Sequence, residues 1–466
     1  MRTNRYVRLP ECLAAALVAA SMNPAALAQE KPAAPQPRSA PAAWSWPSAA
    51  PSGEPIQVSL ATALSLARKN SAVYQAALTE SGSAREDRTQ ARDLLLPQIT
   101  YSNEYLYTQS NQQGGVRFIA NNAVHEYISQ GNVHQAMDVA ALANYRRVSA
   151  AAAVAKAKAE IASRGLVVTV VQNYFSTLAA QFKLDDAKRA AEEGDRFLQL
   201  TQQLEHGGEV AHSDTIKAEL QAQDRRRQFQ EAQLAMLNAR LDLAVLIFPD
   251  FQDNFVLTDD LRASIGLPTL EEVQQQAARD NPDLRAALES VHMSSGEVAA
   301  ARAGYLPSLA LDYFYGIDAP NFATHSFFNG QRVDNLGSSA LASLNLPIWN
   351  WGATRSRIHQ AELHEKQAKL ELSYSQRKLI AEIRSLYAEA ETSLNELAGL
   401  ARSAALAAES QRLTALRYKD GEATVLEVVD SQTALVQANN NYHDGAVRYR
   451  VALANLQTLT GVLTTP

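Results

Sequence analysis

The period of the apolar positions changes along this chain, and the changes come in the same order twice. Between Pro97 and Pro249, and again between Pro347 and Pro466, no proline occurs, so both stretches can carry very long helices. In the second stretch Leu379, Ile383, Leu386, Ala390, Leu394, Leu397 and Ala401 recur by threes and fours, as in a coiled-coil seam. Ala150 to Ala162 is dense in small helix formers, which lets neighbouring helices approach closely. Roughly 68 residues separate Asp138 from the turn near Gly207, and about as many separate Gly352 from the turn near Gly421; at ~1.5 Å per residue each helix is on the order of 100 Å long. Helices of that length suit a tube that crosses a compartment.

Ahead of each helical stretch the period drops to two. Ile99, Tyr101, Tyr105 and Tyr107 alternate with Gln98, Thr100, Ser102, Glu104 and Thr108. Leu309, Leu311, Tyr313, Tyr315 and Ile317 alternate with Ser308, Ala310 and Asp312. Apolar and aromatic groups on one face with polar groups on the other are what a membrane barrel presents to lipid and lumen, although a half-buried strand in a soluble sheet alternates in the same way. Partner strands are expected near Val124 to Gln135 and Leu336 to Leu346, with polar loops at Ser110 to Ala123 and Asp318 to Asn335. Four strands do not close a barrel, for which about eight are the practical minimum, so the chain must lend its strands to an oligomer; a trimer supplies twelve.

Aligning the two halves shows a repeat of roughly 210 residues. Leu60 and Ala67 fall on Leu270 and Ala277, and Asn70 on Asn281 with a slip of one. Leu96-Pro97-Gln98-Ile99 falls on Leu306-Pro307-Ser308-Leu309, and Val171 to Phe175 on Ile383 to Tyr387. Leu204 to Ile216 falls on Tyr418 to Asp430, each holding a Gly-Glu turn between long helical patterns. Each half reads as helix, strand pair, long helix, turn, long helix. The expected division is 1–28 signal peptide, 29–55 linker, 56–260 first repeat and 261–466 second repeat.

Composition and charge narrow the function. Arg2, Arg5 and Arg8, the apolar stretch Leu13 to Met22 and the small-residue site Ala26-Leu27-Ala28 read as a secretory signal ending before Gln29. Residues 30 to 55 are rich in Pro, Ala and Ser and form an extended linker. The one cysteine, Cys12, lies inside the signal, which leaves the mature chain without a disulfide, a thiolate nucleophile or a cysteine metal site. After the signal no run of 18 or more apolar residues remains, so a membrane crossing has to be a closed β-barrel. The net charge of −6 and the lack of a basic block argue against nucleic acid as a partner. There is no phosphate loop, Gly-rich dinucleotide turn or paired metal-ligand motif, and the nine histidines are scattered. The chain is therefore read as no enzyme, with no catalytic residues, no metal and no cofactor.

In sum the residues resemble the outer-membrane efflux protein family, the TolC-like exit ducts of Gram-negative bacteria. The resemblance runs from about Val58 to Gly461. It is carried by Leu60 to Pro97 and Leu270 to Pro307, by the junction Leu346-Pro347-Ile348-Trp349-Asn350-Trp351-Gly352, and by the two Gly-Glu turns. It implies an α+β membrane protein: a homotrimer whose long antiparallel helices form an α-helical barrel through the periplasm, continuous with a trimeric 12-stranded β-barrel in outer-membrane lipid. It further implies a periplasmic adaptor (membrane fusion) protein and an inner-membrane transporter docked at the helical end. The family's acidic periplasmic gate matches Glu427 and Asp430, and in the first repeat Asp214 with Ser213 beside it; Lys217 stands where the second repeat has Asp430. The adaptor-docking tips match Gly208, Glu209, Val210 and Ala211, and Gly421, Glu422, Ala423 and Thr424. One departure is Gln135-Ala136-Met137-Asp138-Val139-Ala140, which lacks the Pro and Gly of the second junction and leaves the strand end near Met137 open. The implied function is a passive export duct for an efflux pump or a type I secretion system. The alternative is a non-conducting periplasmic or surface coiled-coil structural protein. The cargo is not encoded in any motif.

Overall fold

The fold is described from a computed structural model over residues 55–107, 125–249, 254–259, 261, 266–328 and 330–461. The signal with Cys12, the linker up to residue 54 and the loop at 110–123 lie outside the described residues.

Each Pro-free stretch holds a helical hairpin with one leg of unusual length. In the first half α3 spans Val139–His206 and α4 His212–Ile247. In the second, α7 spans Ala353–Lys419 and α8 Val425–Leu459. The expected seam on α7 holds at Leu379, Ile383 and Ala390, which are buried, and fades at Ala401, which is exposed.

The single helix expected ahead of each strand pair is two helices. Here α1 is Leu60–Asn70 and α2 Ala72–Asp93; α5 is Leu270–Asp280 and α6 Pro282–Ala303. The breaks are made by caps: the Ser71 hydroxyl accepts from Tyr74 N–H, and the Asn281 side chain accepts from Leu284 N–H. Asn70 also donates to Ile247 O at 2.6 Å, and Asn281 to Leu459 O at 3.4 Å. In each half an asparagine beside the break thus caps a last-turn carbonyl of the hairpin's shorter leg.

The main sheet is antiparallel, built from β2 (Gln98–Tyr107), β3 (His125–Met137), β5 (Ser308–Ala319) and β8 (Leu336–Asn345) in the order β2-β3-β5-β8. The helices that run into these strands pack side by side in the same order, α2-α3-α6-α7. Each strand is thus continued by its own helix, and the chain forms one layer that is β at one end and α along the rest. The register places Ile99, Val133, Tyr313 and Ala340 in one row and Tyr101, Gly131, Tyr315 and Ser338 in the next. The alternating face is therefore shared across strands, with Ile99, Tyr101, Tyr313 and Tyr315 all exposed. The opposite face carries Asn132, His134 and Asp312, the last two 2.7 Å apart, alongside the apolar Phe314. Gly316 sits against β3 so closely that a β-carbon there would come within 2.2 Å of Ser129 O. At the first junction β3 runs to Met137, and Asp138 takes over the cap by accepting from Ala140 N–H at 2.8 Å. At the second, Gly352 turns the chain at φ 84°.

Two further pairings were not expected from the sequence. Strands β1 (Ile56–Val58) and β4 (Phe255–Leu257) pair in parallel. A hairpin of β6 (His325–Phe328) and β7 (Gln331–Asp334) lies inside the segment read as a plain loop. The β1–β4 ribbon is pinned to the middle of α3. Tyr174 Oη donates to Asp259 Oδ2 at 2.6 Å and stands 3.0 Å from Val58 O, while Leu60 N–H reaches the same carboxylate oxygen at 2.6 Å. Burial, with Asp259 adding to it, pushes the Tyr174 phenol well above its ordinary pKa. The largest core cluster gathers here, with Val58, Ala63, Val167, Val170, Leu243 and Ile247 fully enclosed. A second cluster, around Val273, Ile383, Leu456 and Leu459, does the same for α5.

Candidate functional site: the hairpin tips

Both hairpins turn by the same backbone device. At the end of α3, Gly208 has φ 76°; Gly208 N–H bonds Glu205 O and Glu209 N–H bonds Leu204 O. At the end of α7, Gly421 has φ 75°; Gly421 N–H bonds Tyr418 O and Glu422 N–H bonds Arg417 O. These paired bonds make a Schellman motif, which requires a left-handed residue where glycine alone carries no β-carbon penalty. After the turns the tips differ. Thr424 caps α8 through its hydroxyl, which accepts from Glu427 N–H at 3.3 Å, whereas Ala211 gives α4 no side-chain cap.

The two tips are held together by a third apolar cluster of Phe197, Ala218, Tyr418, Val425 and Val428, joined by a hydrogen bond between Thr201 and Tyr418. The gate candidates surround it. Glu427 lies in the first turn of α8, where the helix dipole favours a carboxylate, with an Arg417 nitrogen 3.9 Å away. Asp430 is one turn further on and exposed. Asp214 lies in the first turn of α4, bound to Lys217 at 3.0 Å, and Ser213 beside it is exposed. Among the described residues no ion pair or hydrogen bond joins Asp214 or Ser213 to Glu427 or Asp430. Of the tip residues, Gly208, Glu209, Ala211, Gly421, Glu422 and Thr424 are exposed, while Val210 and Ala423 are half-buried.

Sequence reasoning missed two residues here. Leu220 and Leu426 are about three-fifths exposed and, with Val429 and Lys217, line a groove of about 350 Å³ between α4 and α8. A lone apolar residue on a helix reads as core, so only the packing reveals these two as surface. A buried polar group further along the hairpins also went unread. His443 on α8 hydrogen-bonds Asp186 on α3 at 3.0 Å and stacks on Phe182 at 5.4 Å, and Arg189 also pairs with Asp186. Burial would raise the Asp186 carboxyl, but the bonds from His443 and Arg189 outweigh it and hold the group below its ordinary range. Among the described residues no cluster of three or more His, Cys, Asp or Glu side chains could hold a metal ion, and no helix is long and apolar enough to cross a membrane.

Comparison with known proteins places this architecture. The sequence profile described as "Outer membrane efflux protein" matches residues 273–462. The chain is 24% identical to the outer membrane protein TolC of Vibrio cholerae over 415 residues, covering 87% of this chain and 91% of the relative. It is 25% identical over 415 residues to the alkaline protease secretion protein AprF of Pseudomonas aeruginosa, covering 85% and 83%. Among solved structures, the Campylobacter jejuni CmeC outer membrane channel superposes with a TM-score of 0.74 at 18% identity, over 86% of this chain and 85% of that one. The architecture, the profile and these relatives agree: over residues 273–462 the chain matches the outer-membrane efflux protein profile, and along most of its length it is similar to TolC-like channels in sequence and fold.

Proposed function

We propose that the protein is a passive outer-membrane exit duct, the last component of an efflux or secretion system, through which substrates leave the periplasm. The observation that carries this reading is the in-line passage of four helices into four strands in one order. A layer of that kind forms a wall, and both of its β-edges, β2 and β8, are left open within the chain. Open edges do not persist in lipid, because unpaired backbone groups there cost several kcal/mol each. Three copies pairing β2 of one with β8 of the next would close a 12-stranded barrel, and their helices would close a tunnel beneath it. The halves 56–260 and 261–466 are then duplicated units, each supplying one hairpin to the tunnel.

The same reading gives the tips their roles. Three copies bring Glu427 and Asp430 into a ring of carboxylates, which favours cations and narrows the tunnel mouth. Asp214 and Ser213 belong to the neighbouring contacts that hold the mouth shut. The tips at Gly208 to Ala211 and Gly421 to Thr424 receive a periplasmic adaptor, and through it an inner-membrane transporter. A non-conducting coiled-coil protein would have no use for the exposed aromatic sheet face.

Single-channel recording in a planar bilayer tests the proposal. The expected result is discrete, cation-selective conductance that multivalent cations block, with the block weakened in the Glu427→Ala/Asp430→Ala double variant. No conductance from wild type or double variant would refute the duct; unchanged block in the double variant would remove these two residues from the gate.

A further inference from the structure

Between α2, α3 and the start of α6 lies a groove of about 1080 Å³, well away from the tips. Its charges are unbalanced. The two carboxylates that line it are already engaged, Glu160 with Arg285 and Asp280 with Arg279. Arg85, Arg88 and Lys156 also line it, and none of them makes an ion pair among the described residues. Arg85 and Arg88 are three apart on α2 and so share one helix face. A second observation points into the same space. Ser163, on α3, lines the groove, is 3% exposed, and its hydroxyl has no hydrogen-bond partner. A buried hydroxyl left unpaired is destabilising, so a ligand that bonds it has a ready gain.

The general architecture does not demand these groups. With Leu96-Pro97 laid on Leu306-Pro307, Arg85 and Arg88 fall on Ser295 and Val298 in the second half, which are not cationic. The groove also has an apolar side, from Leu78 and the alanines of α3.

We propose that this groove is a binding site for a phosphate-type oxyanion, with Arg85, Arg88 and Lys156 neutralising its charge and the Ser163 hydroxyl donating to one oxygen. Guanidinium forks suit the tetrahedral oxygens of phosphate, and the apolar side accommodates a ligand whose phosphate carries a hydrocarbon part. The phosphate has two possible sources, a soluble periplasmic phosphate ester or a phospholipid headgroup. Arg88 stands ten residues before Gln98, the first strand residue, with the last turn of α2 and the non-helical residues 94–97 between them, which favours the soluble source.

Calorimetric titration of the full-length protein in nonionic detergent tests this, with pyrophosphate in one arm and short-chain phosphatidylglycerol in the other. The expected result is saturable binding of about one ligand per chain. It should weaken at least tenfold in the Arg85→Gln/Arg88→Gln/Lys156→Gln variant and several-fold in Ser163→Ala, with thermal midpoints unchanged. Pyrophosphate binding assigns the soluble source, and phosphatidylglycerol binding alone assigns the headgroup. Absence of saturable binding to both probes overturns the site, as does binding that survives intact in either variant. Should the triple variant fail to assemble, Lys156→Gln alone carries the same comparison.

Discussion

At the scale of single residues, backbone conformation is dictated most sharply at the two turn glycines. Gly421→Ala forces a left-handed residue with a β-carbon, at a cost of about 1–2 kcal/mol. The Glu422 amide, which closes the turn, should then exchange its hydrogen roughly 5- to 30-fold faster; unchanged exchange would mean the turn is held by the apolar cluster around Tyr418. The buried Asp186–His443 bond makes a different prediction. Because the folded Asp186 carboxyl is depressed, the stability it contributes is present above the ordinary carboxylate pKa and is lost as pH falls through the folded value. Asp186→Asn should cost about 2 kcal/mol at pH 7, and it should flatten the loss of thermal stability that the wild type suffers on acidification below about pH 4. Equal acid sensitivity in both proteins would assign that loss to other carboxylates.

At the scale of elements, legibility followed length. The four long helices could be read because proline is absent for some 120 to 150 residues at a time, and the strands because alternation persists through Ile99–Tyr107 and Leu309–Ile317. The break at Asn70–Ser71 escaped because no proline or glycine marks it; Ser71 ends one helix through its backbone N–H, bonded to Ala67 O, and starts the next through its hydroxyl. The β1–β4 ribbon escaped because three residues carry no period, and its partners are about 200 residues apart. At the tips the glycines were legible, whereas Leu220 and Leu426 were not, since exposure is a property of packing rather than of residue type. The sheet predicts an asymmetry between its faces. Tyr313 lies on the exposed aromatic face, while Ser339 faces the other way and at nearly the same depth. Arginine on a lipid face near the bilayer centre costs about 2–4 kcal/mol. Tyr313→Arg should therefore impair refolding into liposomes much more than Ser339→Arg, and equal impairment would contradict the assignment of faces.

At the scale of the whole molecule, the open edges of β2 and β8 are the strongest constraint. A protein whose strands close only between copies should show no folded monomer in the membrane. Native mass spectrometry of the detergent-extracted protein should give a complex of three mature chains as the dominant species, and a dominant monomer would rule out the shared barrel. The two legs of each hairpin are also mechanically unequal. The long legs α3 and α7 run without a break from strand to tip, so they behave as struts fixed at the membrane end. The short legs α4 and α8 stop partway and are tethered there by one asparagine each, Asn70 holding Ile247 and Asn281 holding Leu459. A pull on a tip therefore travels down a short leg to its far end, where sliding along the strut has to break the asparagine bond and disturb the apolar cluster that encloses it before the membrane end is loaded.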